Sequence, residues 1–140
     1  MKWDFAVPGI PMSTNSKNAA RKKDWIERVR RHSLQDLPSD NFPIAHDIAV
    51  RVVFFHSGPT NVDVDNILKR VIDGLYPDII LDDGQVQDVL AARRDLITTR
   101  PFINPPDAIV PYLIQGDPFI HVTIDAATPQ EEMPWIGPRP

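Results

Sequence analysis

Hydrophobic and polar positions in this chain follow two periods, and the switches between them lay out its elements. Trp3, Phe5 and Val7 recur at every second position, the pattern of a strand with one face on a core. Pro8 to Asn15 interrupts it as a loop. From Asn18 to about Leu34 the spacing predicts a helix, with Trp25, Ile26 and Val29 facing inward. A linker spans Pro38 to Pro43. Over 47–56, Ile48, Val50, Val52 and Phe54 interleave with Ala49, Arg51, Val53 and Phe55, a strand with both faces largely covered. Between Asp63 and Leu75 the apolar Val64, Ile67, Leu68, Val71, Ile72 and Leu75 form one helix stripe. Gly74 and Pro77 predict where that helix stops. Leu81-Asp82-Asp83-Gly84 predicts a tight turn into a strand from Val86 towards Ile97. A last strand passes through Phe119, Ile120, Val122 and Ile124. This order predicts an α+β domain, a mixed four-stranded sheet with helices packed on one face.

The polar side of the 63–75 helix carries the chemistry. At about 100° per residue, Asp65, Asn66, Lys69 and Asp73 share the side opposite the apolar stripe. Asp63 opens the segment as a candidate N-cap, and Asp82 and Asp83 follow in the turn. Carboxylates grouped in this way suit a hard divalent cation such as Mg²⁺, which prefers oxygen ligands. A lysine beside such an ion adds fixed positive charge where a phosphoryl oxygen develops negative charge. Metal-assisted phosphodiester cleavage is the chemistry to which these residues point. Structural readings stay open for each part: a cap for Asp63, an i,i+4 ion pair for Asp65 with Lys69, a plain turn for Asp82-Asp83-Gly84. A calcium loop is excluded, because its glycine and closing Glu are missing.

Asp-x-Asp-Asn-x-x-Lys, an apolar helix containing an Asp, and then Asp-Asp-x-Gln-Val together resemble the RusA family of Holliday-junction resolvases. Val7-Pro8-Gly9-Ile10-Pro11-Met12-Ser13-Thr14-Asn15 is similar to that family's first strand and loop, and a basic helix follows in both. The resemblance covers roughly residues 3 to 97, and the strand near 118 to 125 fits by position. It implies catalytic roles for Asp63, Asp65, Lys69 and Asp83, with Asp82 as a supporting acid. The metal would be held by Asp63, Asp65, Asp83 and Asp82. The implied cofactor is Mg²⁺, for which Mn²⁺ substitutes. The implied partners are four-way junction DNA and a second copy of the chain, since resolution needs two symmetric nicks. Recombination or repair is the implied setting. Two other functions remain: a catalytically silent DNA-binding or regulatory relative, and a glycosyltransferase using Asp-Val-Asp to hold a nucleotide-sugar. The second is disfavoured because so short a chain lacks room for a nucleotide-binding sheet and an acceptor site.

Composition changes this picture in two places. The net charge of −4 is unusual for a DNA-binding domain. However, Lys17, Arg21, Lys22, Lys23, Arg28, Arg30 and Arg31 place seven of the 15 basic residues in one stretch, against Asp24 and Glu27. Asn15, Lys17, Arg21, Lys22 and Lys23 are the candidate DNA contacts, positive charge being what a phosphate backbone selects. The chain has no cysteine, which removes disulfides and thiolate chemistry. No apolar run approaches the roughly 18 residues of a membrane span, and Met1-Lys2-Trp3-Asp4 does not open a signal peptide, so a cytoplasmic protein is expected. His32, His46, His56 and His121 form no ligand spacing.

One nuclease domain is expected over 1–126. Within it, 101–118 is a Pro-rich insertion whose Ile109, Val110, Tyr112, Leu113 and Ile114 must pack on this domain or on a partner. Residues 127–140 form a Pro-rich, acidic and irregular tail with Trp135 as its anchor.

Overall fold

The computed structural model describes residues 2–11, 17–35, 37–98 and 102–132; Asn15 and Trp135, singled out above, lie outside them. In chain order the elements are β1 (Trp3–Pro8), α1 (Ala19–Gln35), β2 (Ile48–His56), α2 (Leu68–Leu75), β3 (Val86–Asp95), α3 (Val110–Gln115) and β4 (Phe119–Ala126). The strands form one mixed sheet in the order β1-β4-β2-β3. β4 runs antiparallel to both β1 and β2, whereas β2 and β3 are parallel. The expected α+β fold with its four-stranded sheet is present.

Strand alternation divides the apolar residues between two faces. Phe5 and Val7 of β1, Val50, Val52 and Phe54 of β2, and Ile120, Val122 and Ile124 of β4 point to one core. Trp25 and Val29 of α1 and Val71 and Leu75 of α2 close over it. A second, smaller cluster of Ala6, Phe55, Leu96, Ile109 and Phe119 lies on the opposite face. There the 101–118 insertion packs on its own domain. Tyr112 of α3 sits 5.4 Å from the Phe119 ring, and Phe119 stacks on Phe55 at 4.8 Å. The two long helices thus share one face, and the insertion covers one end of the other.

α1 starts where the Asn18 side chain accepts the Arg21 N–H at 3.0 Å, satisfying one free donor of the first turn. It holds α2 by close backbone approach. Gly74 is buried in the last turn of α2 rather than beyond its end. A Cβ built there would lie 2.6 Å from Val29 Cγ1 and 2.8 Å from Val29 Cβ. The glycine expected as a terminator is therefore a packing residue. Arg30 of α1 reaches across to donate to the Tyr76 carbonyl at 3.0 Å.

The segment 63–75 is not one helix. Val64–Asn66 is a 3₁₀ turn, and α2 begins only at Leu68, with Ile67 between them. Val62, Ile67, Val71 and Leu75 still reach the core, because the apolar spacing fits both windings.

Gly74→Ala sets two effects against each other. Alanine improves helix propensity by about 1 kcal/mol, while overpacking a filled contact costs about 1–3 kcal/mol. Val29 is fully buried and cannot turn aside, so net destabilisation and a midpoint lowered by several degrees are expected in thermal unfolding. Val29→Ala in the same chain should recover part of that loss. An unchanged or higher midpoint for Gly74→Ala would show that the helices separate freely.

Candidate active site

All the motif residues lie between β2 and β3. The chain leaves β2 at His56, crosses to α2 and returns through a turn to the start of β3. Arg93 of β3 fastens the outgoing limb by donating to the Val62 carbonyl at 2.9 Å, just before Asp63. His56 Nδ1 donates to the Gly58 carbonyl at 2.6 Å, so this histidine shapes the loop.

Asp63 stands at the N-cap position of the 3₁₀ turn, yet its side chain makes no capping hydrogen bond. The turn closes through backbone alone, from the Asn66 N–H to the Asp63 carbonyl at 3.0 Å. Asp63, Asp65 and Asp83 are all exposed, and among the described residues none has a side-chain hydrogen bond or ion pair. The cap and i,i+4 readings of Asp63 and Asp65 are thereby removed.

Lys69 pairs with Asp73, one turn onward, at 3.2 Å, and not with Asp65. Arg70 reaches the other oxygen of Asp73 at 3.0 Å. Asp73, set outside the site on sequence grounds, is thus the carboxylate that holds the motif lysine. At 56% side-chain exposure Lys69 keeps access to solvent. Such a pair contributes only about 0.2–0.5 kcal/mol, weak enough for the lysine to exchange partners.

The returning turn is organised by a residue to which sequence reasoning gave no role. Gln85 Oε1 accepts the backbone N–H groups of Leu81 at 2.7 Å and Asp82 at 3.0 Å. Its Nε2 donates to the carbonyls of Ile44 at 2.8 Å and His46 at 2.9 Å. One side chain therefore ties the Asp82-Asp83 turn to the segment entering β2. The signal was present in the Asp-Asp-x-Gln spacing, since Gln three residues after an Asp is the reciprocal pattern of a capping box.

A cleft of about 490 Å³ lies beside this turn, with Asp73, Asp82 and Asp83 against Ile26, Ile72, Tyr76 and Leu81. The structure brings Asp82 and Asp83 together with Asp73, the partner of Lys69. Asp63 and Asp65 lie outside the lining, at the other end of the α2 segment. Among the described residues no three His, Asp or Glu side chains are gathered so that they could hold one metal ion. A second concavity, about 340 Å³ and lined by Lys2, Arg51, Asp88 and Asp125 among others, contains no motif residue.

On α1, Asp24 pairs with Arg28 and Glu27 with Arg30. Lys17, Arg21, Lys22, Lys23 and Arg31 have no ion-pair partner among the described residues. Burial, then the neighbouring Arg31 and Arg28, push the His32 imidazole below its ordinary range, so it adds no charge there at neutral pH. His46 bonds the Asp47 carbonyl and His121 meets Asp4 at 2.8 Å.

Gln85→Ala should free the Asp82-Asp83 turn. These hydrogen bonds are exposed or partly buried, so each contributes about 0.5–1.5 kcal/mol. Amide exchange at Leu81 and Asp82 should quicken well beyond that at β2. Equal protection of these amides in both proteins would show that the turn holds without the glutamine.

Two further findings bear on identity. No helix among the described residues is long and apolar enough to cross a membrane. No curated protein sequence matches the chain. A family model described as endodeoxyribonuclease RusA matches residues 11–104, more than half of the chain and the whole of the crossover that carries Asp63, Asp65, Lys69, Asp82 and Asp83. The chain belongs to the RusA endodeoxyribonuclease family.

Proposed function

We propose that this protein is a metal-dependent, structure-selective endodeoxyribonuclease that resolves four-way DNA junctions by paired symmetric nicks. The observation that carries this reading is the set of exposed, unpartnered carboxylates at Asp63, Asp65 and Asp83. They sit at the motif positions of an endodeoxyribonuclease family, and among the described residues none makes a side-chain hydrogen bond or ion pair.

The donor chemistry fits Mg²⁺, with Mn²⁺ able to substitute. Mg²⁺ usually takes one or two protein carboxylates and fills its remaining positions with water and substrate phosphate. A set of protein ligands gathered in advance is therefore not required. Asp63 and Asp65 at the start of the crossover, and Asp83 with Asp82 at its return, would each offer one or two carboxylates to an ion whose other positions water and phosphate fill. When bound, it supplies charge that offsets the developing negative phosphate and lowers the pKa of bound water. Lys69 contributes a fixed ammonium for the same charge, exchanging its weak contact with Asp73 for a phosphate oxygen. Lys17, Arg21, Lys22 and Lys23, which have no ion-pair partner among the described residues, offer cations to the DNA backbone, and Asn15 is a further contact expected from the sequence. Two symmetric nicks call for two sites, hence a two-fold homodimer.

The alternative is a catalytically silent DNA-binding relative, favoured by the ungathered carboxylates. Family membership removes the grounds for a glycosyltransferase.

Incubation with synthetic four-way junctions and matched duplex, with Mg²⁺ or with a chelator, separates these readings. Junctions should be cut into duplexes only in the presence of the ion. Asp65→Asn and Asp83→Asn should each abolish cutting while junction binding persists or tightens, since negative charge facing phosphate is removed. Binding without cutting in the unaltered chain would establish the silent relative.

Lys69→Ala should slow cutting by roughly 10²-fold or more, the scale of losing one electrostatic donor. Lys69→Arg should recover only part of it, because a planar guanidinium does not reproduce a compact ammonium. Single-turnover rates equal to those of the parent chain would return Lys69 to a surface ion pair.

A further inference from the structure

The two edges of the sheet differ sharply. β1 is covered, with Trp3, Phe5, Ala6 and Val7 all buried. β3 is not. Among the described residues its only sheet neighbour is β2, and successive residues Val89 and Leu90, which point to opposite faces, are 54% and 48% exposed. The strand is ten residues long and contains no proline, and its register with β2 is regular from Asp88 to Asp95. A long, regular, partly apolar edge is what folded proteins usually blunt, because its free N–H and C=O groups accept another strand.

We infer that the free edge of β3 is the docking surface for β3 of a second copy, paired antiparallel about a two-fold axis through Ala91. The sequence of the strand is self-complementary about that point. A two-fold perpendicular to the sheet keeps each face with its own kind, so residues equally spaced on either side of Ala91 stand opposite one another. Asp88 then meets the other copy's Arg94, and the same pair recurs by symmetry. Asp88 is in register with Ala49 and Arg94 with Phe55, so both stand on the same face of the sheet, as this pairing requires. Leu90 meets Ala92 on that face, and a small residue, Ala91, occupies the axis.

The match is lost on a slip by one pair. Such a slip puts Asp88 opposite Ala92 with Arg94 opposite Val86, or Asp88 opposite Leu96 with Arg94 opposite Leu90. Within the chain Asp88 accepts the Thr128 N–H through Oδ2, and Arg94 donates through Nη1 to the Arg93 carbonyl. Neither belongs to an ion pair among the described residues, so each keeps polar atoms for a partner. Charge complementarity therefore commits the edge to a copy of itself.

This interface gives a location to the homodimer in the proposed function, and its test makes no use of cleavage. Ala91→Cys supplies the only cysteine in the chain, so any disulfide must join two copies. Directly opposed residues in an antiparallel pair lie about 4.5–5.5 Å apart at Cα, within the range a disulfide spans. Mild oxidation should convert Ala91→Cys to a covalent dimer far faster than Ser57→Cys, an exposed control away from the edge. Light scattering at micromolar concentration should give about twice 15.8 kDa for the parent chain. Asp88→Arg and Arg94→Asp should each shift the chain towards monomer, and the combined charge swap should restore the dimer.

Ala91→Cys linking no faster than the control, or a charge swap no better than either single change, would overturn the inference. Circular dichroism checks that each variant is folded, and the oxidation result decides the matter even if a charge variant is not. An Ala91→Cys chain that links through its introduced thiol, from a parent that never cuts junctions, would sink the proposed function and leave the interface standing. A parent that cuts junctions while the Ala91→Cys variant stays unlinked would do the reverse.

Discussion

The parallel pairing of β2 with β3 is the constraint on which the rest depends. Parallel neighbours cannot be joined by a hairpin, so the chain must travel the length of the sheet and return before it can pair again. That obligatory excursion contains the 3₁₀ turn, α2 and the Asp82-Asp83 turn, and with them every motif residue. The crossover is therefore a topological necessity, and it holds the residues to which the proposed function assigns the chemistry. Its apolar stripe closes the main core, while its polar side is left free of structural duty.

How that freedom is preserved is visible in the local charges. Asp73 pairs with both cations of α2, Lys69 and Arg70, and neither cation pairs with Asp63 or Asp65. Gln85 positions Asp82 and Asp83 through backbone groups, with an uncharged side chain that competes for neither carboxylate. Asp63, Asp65 and Asp83 are held by the backbone around them, with no hydrogen bond or ion pair to their side chains among the described residues, while the Asp82 side chain joins the capping box of its turn. Sites that break local rules of pairing are where function commonly resides.

Much of this was legible in the sequence. Two-residue alternation marked the strands of the sheet, and the 3.6-residue stripe marked the helices that close over it. What stayed hidden depended on contacts distant in the chain or on choices between equivalent neighbours. Lys69 has an aspartate four residues away on each side, and only the 3₁₀ start, which takes Asp65 out of helical register, decides for Asp73. Gly74 looked like a terminator because its real partner, Val29, lies on another helix. The apolar content of 101–118 required burial, but which face would receive it followed from Phe55 and Phe119 together. Carboxylate spacing suggested a common ion, whereas Asp63 and Asp65 do not line the cleft of Asp82 and Asp83, and among the described residues no three ligands gather.

The contact at Gly74 has a mechanical consequence. With no side chain between them, α1 and α2 cannot slide past one another without Val29 leaving its seat, and Arg30 locks the far end to the Tyr76 carbonyl. The cationic helix and the acidic crossover therefore move as one rigid piece. In the proposed function such a piece would serve as a ruler, fixing the span between the phosphates that α1 would grip and the phosphate that the carboxylates would meet.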